Sequence, residues 1–105
     1  MTVKKFERRR VHCTDFSGVY VLHNCKSKKN YVGQSQRVMK RVNDHLTGHG
    51  CRDVYGDYKN GDKFYIHTIP FKGSGYRSLN ALERDNIAKY SGYTRGYNKT
   101  KGNIG

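Results

Sequence analysis

The sequence predicts a small α+β domain in which a three-stranded antiparallel or mixed sheet is flanked by helices, in the order β-β-α-β-α with an optional last strand. Three short runs rich in β-branched and aromatic residues predict the strands, because such side chains fit a pleated, half-buried surface. Two stretches with apolar residues at steps of three and four predict the helices. A length of 105 residues fits one domain.

The predicted strands lie at residues 18–23, 31–33 and 63–69. The polar turn at residues 24–30 separates the first two, which predicts an antiparallel hairpin. Pro70 ends the third strand, because proline has no backbone N–H to give to a sheet.

The first predicted helix carries Val38, Val42 and Leu46 on one apolar face, and Ser35 is its expected N-cap. The second covers about three turns within residues 79–90.

Three further segments are expected outside helices and strands. Residues 48–62 contain four glycines and predict a long loop, and residues 96–100 predict an irregular or short extended tail. Residues 1–16 are expected to form an N-terminal arm that either follows a phosphate backbone or stays solvated, ahead of a single domain at residues 17–105. The cations of the arm that we expect to bind nucleic acid are Lys4, Lys5, Arg8, Arg9 and Arg10.

The net charge of +13 indicates a polyanionic partner, for which DNA is the first candidate. Solubility alone would need a charge of only about 2–8 on a small domain. No apolar run approaches the roughly 20 residues of a membrane helix, and the charged N-terminus does not resemble a secretory signal. We therefore expect a cytoplasmic protein that does not bind membranes.

The three cysteines, Cys13, Cys25 and Cys51, form no Cys-x-x-Cys motif, and their odd number indicates a reducing compartment rather than a disulfide framework. His23 and His49 each precede a cysteine by two positions, so one candidate function is a zinc-stapled interaction module. The spacing matches no common zinc pattern.

Two motifs carry a resemblance to a known family. Gly18-Val19-Tyr20 is followed after ten residues by Tyr31-Val32-Gly33, and this pair resembles the signature of the GIY-YIG endonucleases. Further positions are in step with that family over residues 17–100: Arg41 ten residues after Tyr31, His45 one turn later, Glu83 on the second predicted helix, and Asn98 in Tyr97-Asn98-Lys99-Thr100.

The resemblance implies a GIY-YIG-like domain and a divalent-metal-dependent DNA endonuclease, a hydrolase in the style of phage or homing-type catalytic domains. Its implied catalytic set is Tyr20, Tyr31, Arg41, His45, Glu83 and Asn98. Glu83 would hold Mg²⁺, with Mn²⁺ as a substitute, because a lone carboxylate with waters suits a loosely held Mg²⁺. Asn80 and Glu83 also form a capping-box pattern, which is the structural alternative for this glutamate.

The roles of the other residues follow from their chemistry. Arg41 offers planar donors to a phosphate and never loses its charge, whereas its structural alternative is a solvated helix face. One signature tyrosine would act as general base or orient the water, aided by nearby cations that favour the phenolate, and the sequence does not choose between Tyr20 and Tyr31. His45 would shuttle a proton, bind phosphate or simply cap its helix. Asn98 would position the backbone or a bound phosphate.

Four neighbouring positions complete the expectations. Gly18 and Gly33 would allow close approach of backbones, and Arg37 and Lys40 would contact the DNA backbone. Gln34 departs from the family, because many relatives carry Lys there, which leaves the general base less defined. The alternative to the nuclease is a non-catalytic nucleic-acid-binding domain of the same fold, and a homodimer or a targeting partner would supply further recognition.

Overall fold

The computed structural model describes residues 1–90 and 96–98 and confirms an α+β domain built around a three-stranded sheet. The strand order is β2-β1-β3, and both pairings are antiparallel. The elements of the described residues are α1 (Val3–His12), β1 (Gly18–Asn24), β2 (Asn30–Ser35), α2 (Val38–Leu46), α3 (Arg52–Lys59), β3 (Phe64–Pro70) and α4 (Leu79–Lys89).

Helices cover both faces of the sheet, because successive side chains of β1 point to opposite sides. Tyr20 and Leu22 face one core, and Val19 and Val21 face the other. On the first side the sheet packs against buried side chains of α1, α2 and α3; on the second side it packs against α4, through Leu82 and Ile87 among others.

The predicted N-terminal arm is wrong in conformation, because residues 3–12 form the helix α1. Thr2 caps it by accepting a hydrogen bond from Lys5 N at 3.2 Å, and Phe6 is fully buried in the first core. The residues ahead of it extend the sheet, since Ile66 N donates to Met1 O at 2.7 Å. The many cations of this segment masked the apolar side chains, chiefly Phe6, that pack it into the first core.

The long loop predicted for residues 48–62 is also wrong, because it contains α3. Val54 of α3 is fully buried in the first core, and the glycine at position 56 is tolerated inside the helix. Ser35 does not cap α2 as predicted: its side chain accepts from Arg37 N, ahead of the helix. The cap comes from Asp15, whose carboxylate accepts from Met39 N at 2.8 Å and Lys40 N at 3.0 Å.

Among residues 1–90 and 96–98, no helix is long and apolar enough to cross a membrane. The predicted tail lies partly within the described chain. Residues 96–98 run beside β2 without forming a strand, and Tyr97 N donates to Asn30 O at 2.9 Å. The rest of the predicted tail, residues 99 and 100, lies outside the described residues.

Candidate active site

A cleft of about 550 Å³ opens at the outer edge of β2, between the helices of the two sheet faces. Its residues come from β2, α2, α4, the segment that ends at Asn98, and the start of α3. The lining residues are Tyr31, Val32, Arg41, Gly50, Cys51, Arg52, Asp53, Glu83, Ile87, Tyr97 and Asn98. The structure therefore brings four of the six predicted catalytic residues to one cavity, and the other two lie beneath it.

Tyr31 and Arg41 form one side of the cleft. Tyr31 is half-buried, and burial raises the pKa of its phenol while the positive charge of Arg41 opposes that rise. The Arg41 guanidinium donates to His49 O at 3.3 Å and lies 3.7 Å from the Asp44 carboxylate. Its side chain keeps 40% of its surface exposed, so it remains accessible to an anion in the cleft.

Tyr20 and His45 are buried below Tyr31. The Tyr20 hydroxyl lies 2.8 Å from His45 Nε2, and the Tyr31 and His45 ring centroids are 4.8 Å apart. Cys51 N donates to His45 Nδ1 at 2.8 Å, so Nδ1 carries no proton. In the neutral ring the proton then sits on Nε2, which donates to the Tyr20 oxygen.

Burial keeps His45 neutral, because it lowers the pKa of the imidazole to about 4, with the positive charge of Arg41 as a second cause. A histidine that stays neutral at pH 7 and has both ring nitrogens engaged is poorly suited to the shuttle role expected from the sequence. The geometry instead suits a support that fixes the Tyr20 ring.

Two glycines make this buried layer possible. A Cβ on Gly33, the residue paired with Tyr20 across the strands, would lie 2.3 Å from the Tyr20 hydroxyl. A Cβ on Gly50 would lie 2.3 Å from His45 Nδ1. Gly18 is equally constrained, because its Cβ would lie 2.3 Å from Ile69 O on β3. The predicted close approach at Gly18 and Gly33 is thus present, and Gly50 was not foreseen.

Among the protein's own groups, burial outweighs the nearby cations in setting the pKa of the two signature tyrosines, and the lowering expected from a bound metal ion stays a prediction. Burial raises the pKa of Tyr20 well above its usual range and raises that of Tyr31, and the opposing effect of Arg41 is smaller in both cases. The free-energy cost of burying a phenolate is larger than the stabilisation that one neighbouring guanidinium provides. Of the two signature tyrosines only Tyr31 lines the cleft, whereas Tyr20 is 1% exposed. Tyr31 is therefore the tyrosine placed to meet a water or a substrate.

Glu83 lies on α4 and faces the cleft from the side opposite to Arg41's helix. The capping box that was the structural alternative for Glu83 is absent, because Ser78 caps α4 by accepting from Ala81 N at 3.1 Å. Burial raises the pKa of Glu83, and a hydrogen bond from Gln34 opposes the rise. Gln34 also donates to Asn80 Oδ1 at 2.5 Å, so it connects β2 to α4 beside this carboxylate.

Asn98 holds the edge of β2. Its Nδ2 donates to Val32 O at 2.7 Å, and its Oδ1 accepts from Val32 N at 2.8 Å. The amide thus pairs with the free edge of β2 as another strand would, directly beside Tyr31.

The remaining predicted cations lie outside the cleft. Arg37 and Lys40 line an adjacent groove that also includes Arg41. The five N-terminal cations lie on α1, which packs on β3 at the other edge of the sheet. Arg52 and Asp53 were missed, because the sequence pattern assigned their segment to a loop and gave no signal that they would reach Tyr31.

The histidines and cysteines do not assemble into a zinc site in the part of the chain that the structure describes. Cys13 and Cys25 are exposed and Cys51 is partly buried, and no three His, Cys, Asp or Glu side chains come together among the described residues. The zinc-stapled module therefore lacks the ligand set that it requires.

The fold and the site define a domain of the GIY-YIG nuclease fold, as the signature motifs implied. Among solved structures, the chain is similar to the catalytic domain of intron endonuclease I-TevI, in a Glu-to-Ala mutant form, with a TM-score of 0.58 and 21% sequence identity. The match covers 85% of this chain and 98% of that domain. No family model matches the chain, and no curated protein matches it. The likeness establishes the fold.

Proposed function

We propose that the protein is a divalent-metal-dependent DNA endonuclease whose active site is the cleft at the edge of β2. The observation that carries this proposal is the convergence of Tyr31, Arg41 and Glu83, from three separate elements, on one cavity. They combine a hydroxyl, a permanent cation and a carboxylate, the groups that phosphodiester hydrolysis requires. The nuclease fold and the net charge of +13 support DNA as the substrate.

The residues present fit a hard divalent cation. Glu83 is a half-buried carboxylate whose charge burial disfavours, so a cation in the cleft would favour its ionised form. Mg²⁺ commonly binds one or two carboxylates and keeps several waters together with substrate phosphate, which a cavity of about 550 Å³ can hold. When bound, such an ion would supply Lewis-acid stabilisation of the charge on the phosphate and the leaving oxygen.

The chain's own residues would handle the water and the phosphate. Tyr31 orients the attacking water through its hydroxyl as the water oxygen bonds to phosphorus, and the water's proton passes to solvent. The bond from phosphorus to the 3′ oxygen breaks, which leaves a 5′-phosphate and, after protonation, a 3′-hydroxyl. Arg41 donates to the phosphate oxygens as their negative charge grows. His45, through Tyr20, keeps the layer under Tyr31 rigid, and Asn98 holds its strand.

Substitution of the two glutamates tests the proposal. Glu83 and Glu7 are the only glutamates of the chain, and Glu7 is paired with Arg10 on α1, away from the cleft. Glu83→Gln should lower Mg²⁺-dependent nicking of supercoiled plasmid by at least about 100-fold, since a metal ligand is lost. Glu7→Gln makes the same chemical change and should nick like the wild type.

Binding without turnover would favour the alternative. If the wild type binds supercoiled, linear, branched and single-stranded DNA but cleaves none with Mg²⁺ or Mn²⁺, the chain is a non-catalytic nucleic-acid-binding domain. If Glu83→Gln and Glu7→Gln nick equally, the proposed site is wrong. One cleft cuts one strand, so double-strand cleavage would require two protomers, a partner or two visits.

A further inference from the structure

Two grooves adjoin the cleft and share lining residues with it. A groove of about 310 Å³ contains Arg37 and Lys40 and meets the cleft at Arg41. A second groove of about 380 Å³ contains Lys29 and meets the cleft at Arg52. The cleft therefore has a groove next to it on each of two sides, and we call the three adjoining depressions the channel.

Cations occur along the whole channel. Arg37, Lys40 and Arg41 lie on one side of the cleft centre, and Arg52 and Lys29 lie on the other. The side chains of Arg52 and Lys29 are exposed, so both are accessible to a phosphate.

Three aspartates also line the channel. Asp44 lies 3.3 Å from Lys40 Nζ and 3.7 Å from Arg41, and a bound phosphate would compete with it for those cations. Asp57 accepts a hydrogen bond from the Tyr97 hydroxyl at 2.5 Å, which directs it toward the protein. Asp53 lies beside Arg52. With Glu83 of the cleft, the channel holds five cations and four acids, so its formal balance is slightly positive.

A rival basic surface lies elsewhere. Lys5, Arg8 and Arg9 line a groove of about 430 Å³ along α1, and no acid lines it. This groove shares no residue with the channel, and α1 contacts β3, which is the edge strand opposite to β2. The α1 groove and the cleft therefore lie toward opposite edges of the sheet.

We propose that the backbone of the cleaved DNA strand lies along the channel, with Arg52 and Lys29 binding phosphates on one side of the scissile phosphate and Arg37 and Lys40 on the other. The α1 groove lies outside this single-strand footprint. This inference rests on the proposed nuclease function, because it assigns the path of that substrate. It makes Arg52, which no sequence motif identified, a substrate-binding residue.

Matched double substitutions test the path. The Arg52→Gln/Lys29→Gln protein and the Arg8→Gln/Lys5→Gln protein each lose one Arg and one Lys charge at exposed positions. The probe is a single-stranded DNA of about eight nucleotides, within the footprint of small single-strand-binding domains. Binding is measured by fluorescence anisotropy between 50 and 200 mM salt, without divalent metal so that no cleavage occurs.

Loss of two phosphate contacts should reduce the slope of log K against log salt by about 1.4, because each contact on a single strand contributes about 0.7. The Arg52→Gln/Lys29→Gln protein should show this loss and a several-fold higher KM for cleavage, with a smaller change in kcat. The α1 protein should bind the short probe like the wild type.

The outcomes separate the channel from the nuclease. An unchanged slope in the Arg52→Gln/Lys29→Gln protein, or an equal loss in the α1 protein, overturns the channel even if Glu83-dependent nicking is intact. Short-probe binding that depends on Arg52 and Lys29 supports the channel, whether or not nicking depends on Glu83. Absence of Glu83-dependent nicking would overturn only the proposed function.

Discussion

Acidification should destabilise the protein through His45, and the structure sets the size of the effect. The pKa of this imidazole is about 4 in the folded chain against about 6.5 in an unfolded one. Between these values the unfolded state binds one more proton, so stability falls as the pH falls. The contribution is complete above pH 6.5 and lost on approach to pH 4. The difference between the two pKa values, at about 1.4 kcal/mol for each pH unit, gives a total loss of about 3–4 kcal/mol.

Two measurements check this prediction. In NMR titrations, the His45 ring signals should stay in the neutral form with the proton on Nε2 down to about pH 4–5. In urea unfolding between pH 7 and pH 4, His45→Gln should make the free energy of unfolding less dependent on pH, by the equivalent of about one proton taken up on unfolding, because glutamine does not titrate. His12→Gln, at an exposed position on α1, is the matched control and should keep the wild-type slope. A His45 midpoint near 6.5 would show that burial does not hold the ring neutral.

Two further predictions concern stability, measured by urea unfolding. Gly33→Ala should destabilise the protein by about 1–3 kcal/mol, because the new Cβ would lie 2.3 Å from the buried Tyr20 hydroxyl. Gly56→Ala has open space around its Cβ inside α3 and should stabilise the protein by up to about 1 kcal/mol. Equal effects at the two glycines would refute the crowding argument. Asp15→Ala should destabilise the protein by about 1–2 kcal/mol through loss of the α2 cap, and Ser35→Ala should destabilise it less. A larger loss of stability in Ser35→Ala would show that Ser35 is the cap.

The sequence predicted the sheet well because strand signals are local. Gly18–Asn24 and Asn30–Ser35 each carry β-branched and aromatic side chains, and a short polar turn leaves the chain no alternative to a hairpin. It failed on α1 and α3, whose existence depends on one buried residue each, Phe6 and Val54. Their apolar faces are short, Val3 and Phe6 in α1 and Val54 and Tyr58 in α3, so tertiary contact rather than local pattern decides that these residues are helical.

The candidate site was predictable where a motif fixed the spacing and not where a distant segment supplied the partner. Tyr31, Arg41 and Glu83 were identified by their places in the family pattern, and the structure puts all three at one cleft. Arg52 could not be identified in this way, because it reaches the cleft only when α3 turns back after Gly50. Residue spacing along the chain does not show that the start of α3 folds back to the cleft.

The buried layer explains how a basic surface and a desolvated site coexist in so small a chain. The Tyr20 oxygen accepts from His45 Nε2, and a backbone N–H from Cys51 donates to the other ring nitrogen, so the buried imidazole is satisfied without water and without charge. The cations can then stay at the cleft rim, where they meet phosphate without the cost of full burial. Glu83 is the one acid of the cleft whose proposed work depends on a metal, which is why its substitution should separate catalysis from binding.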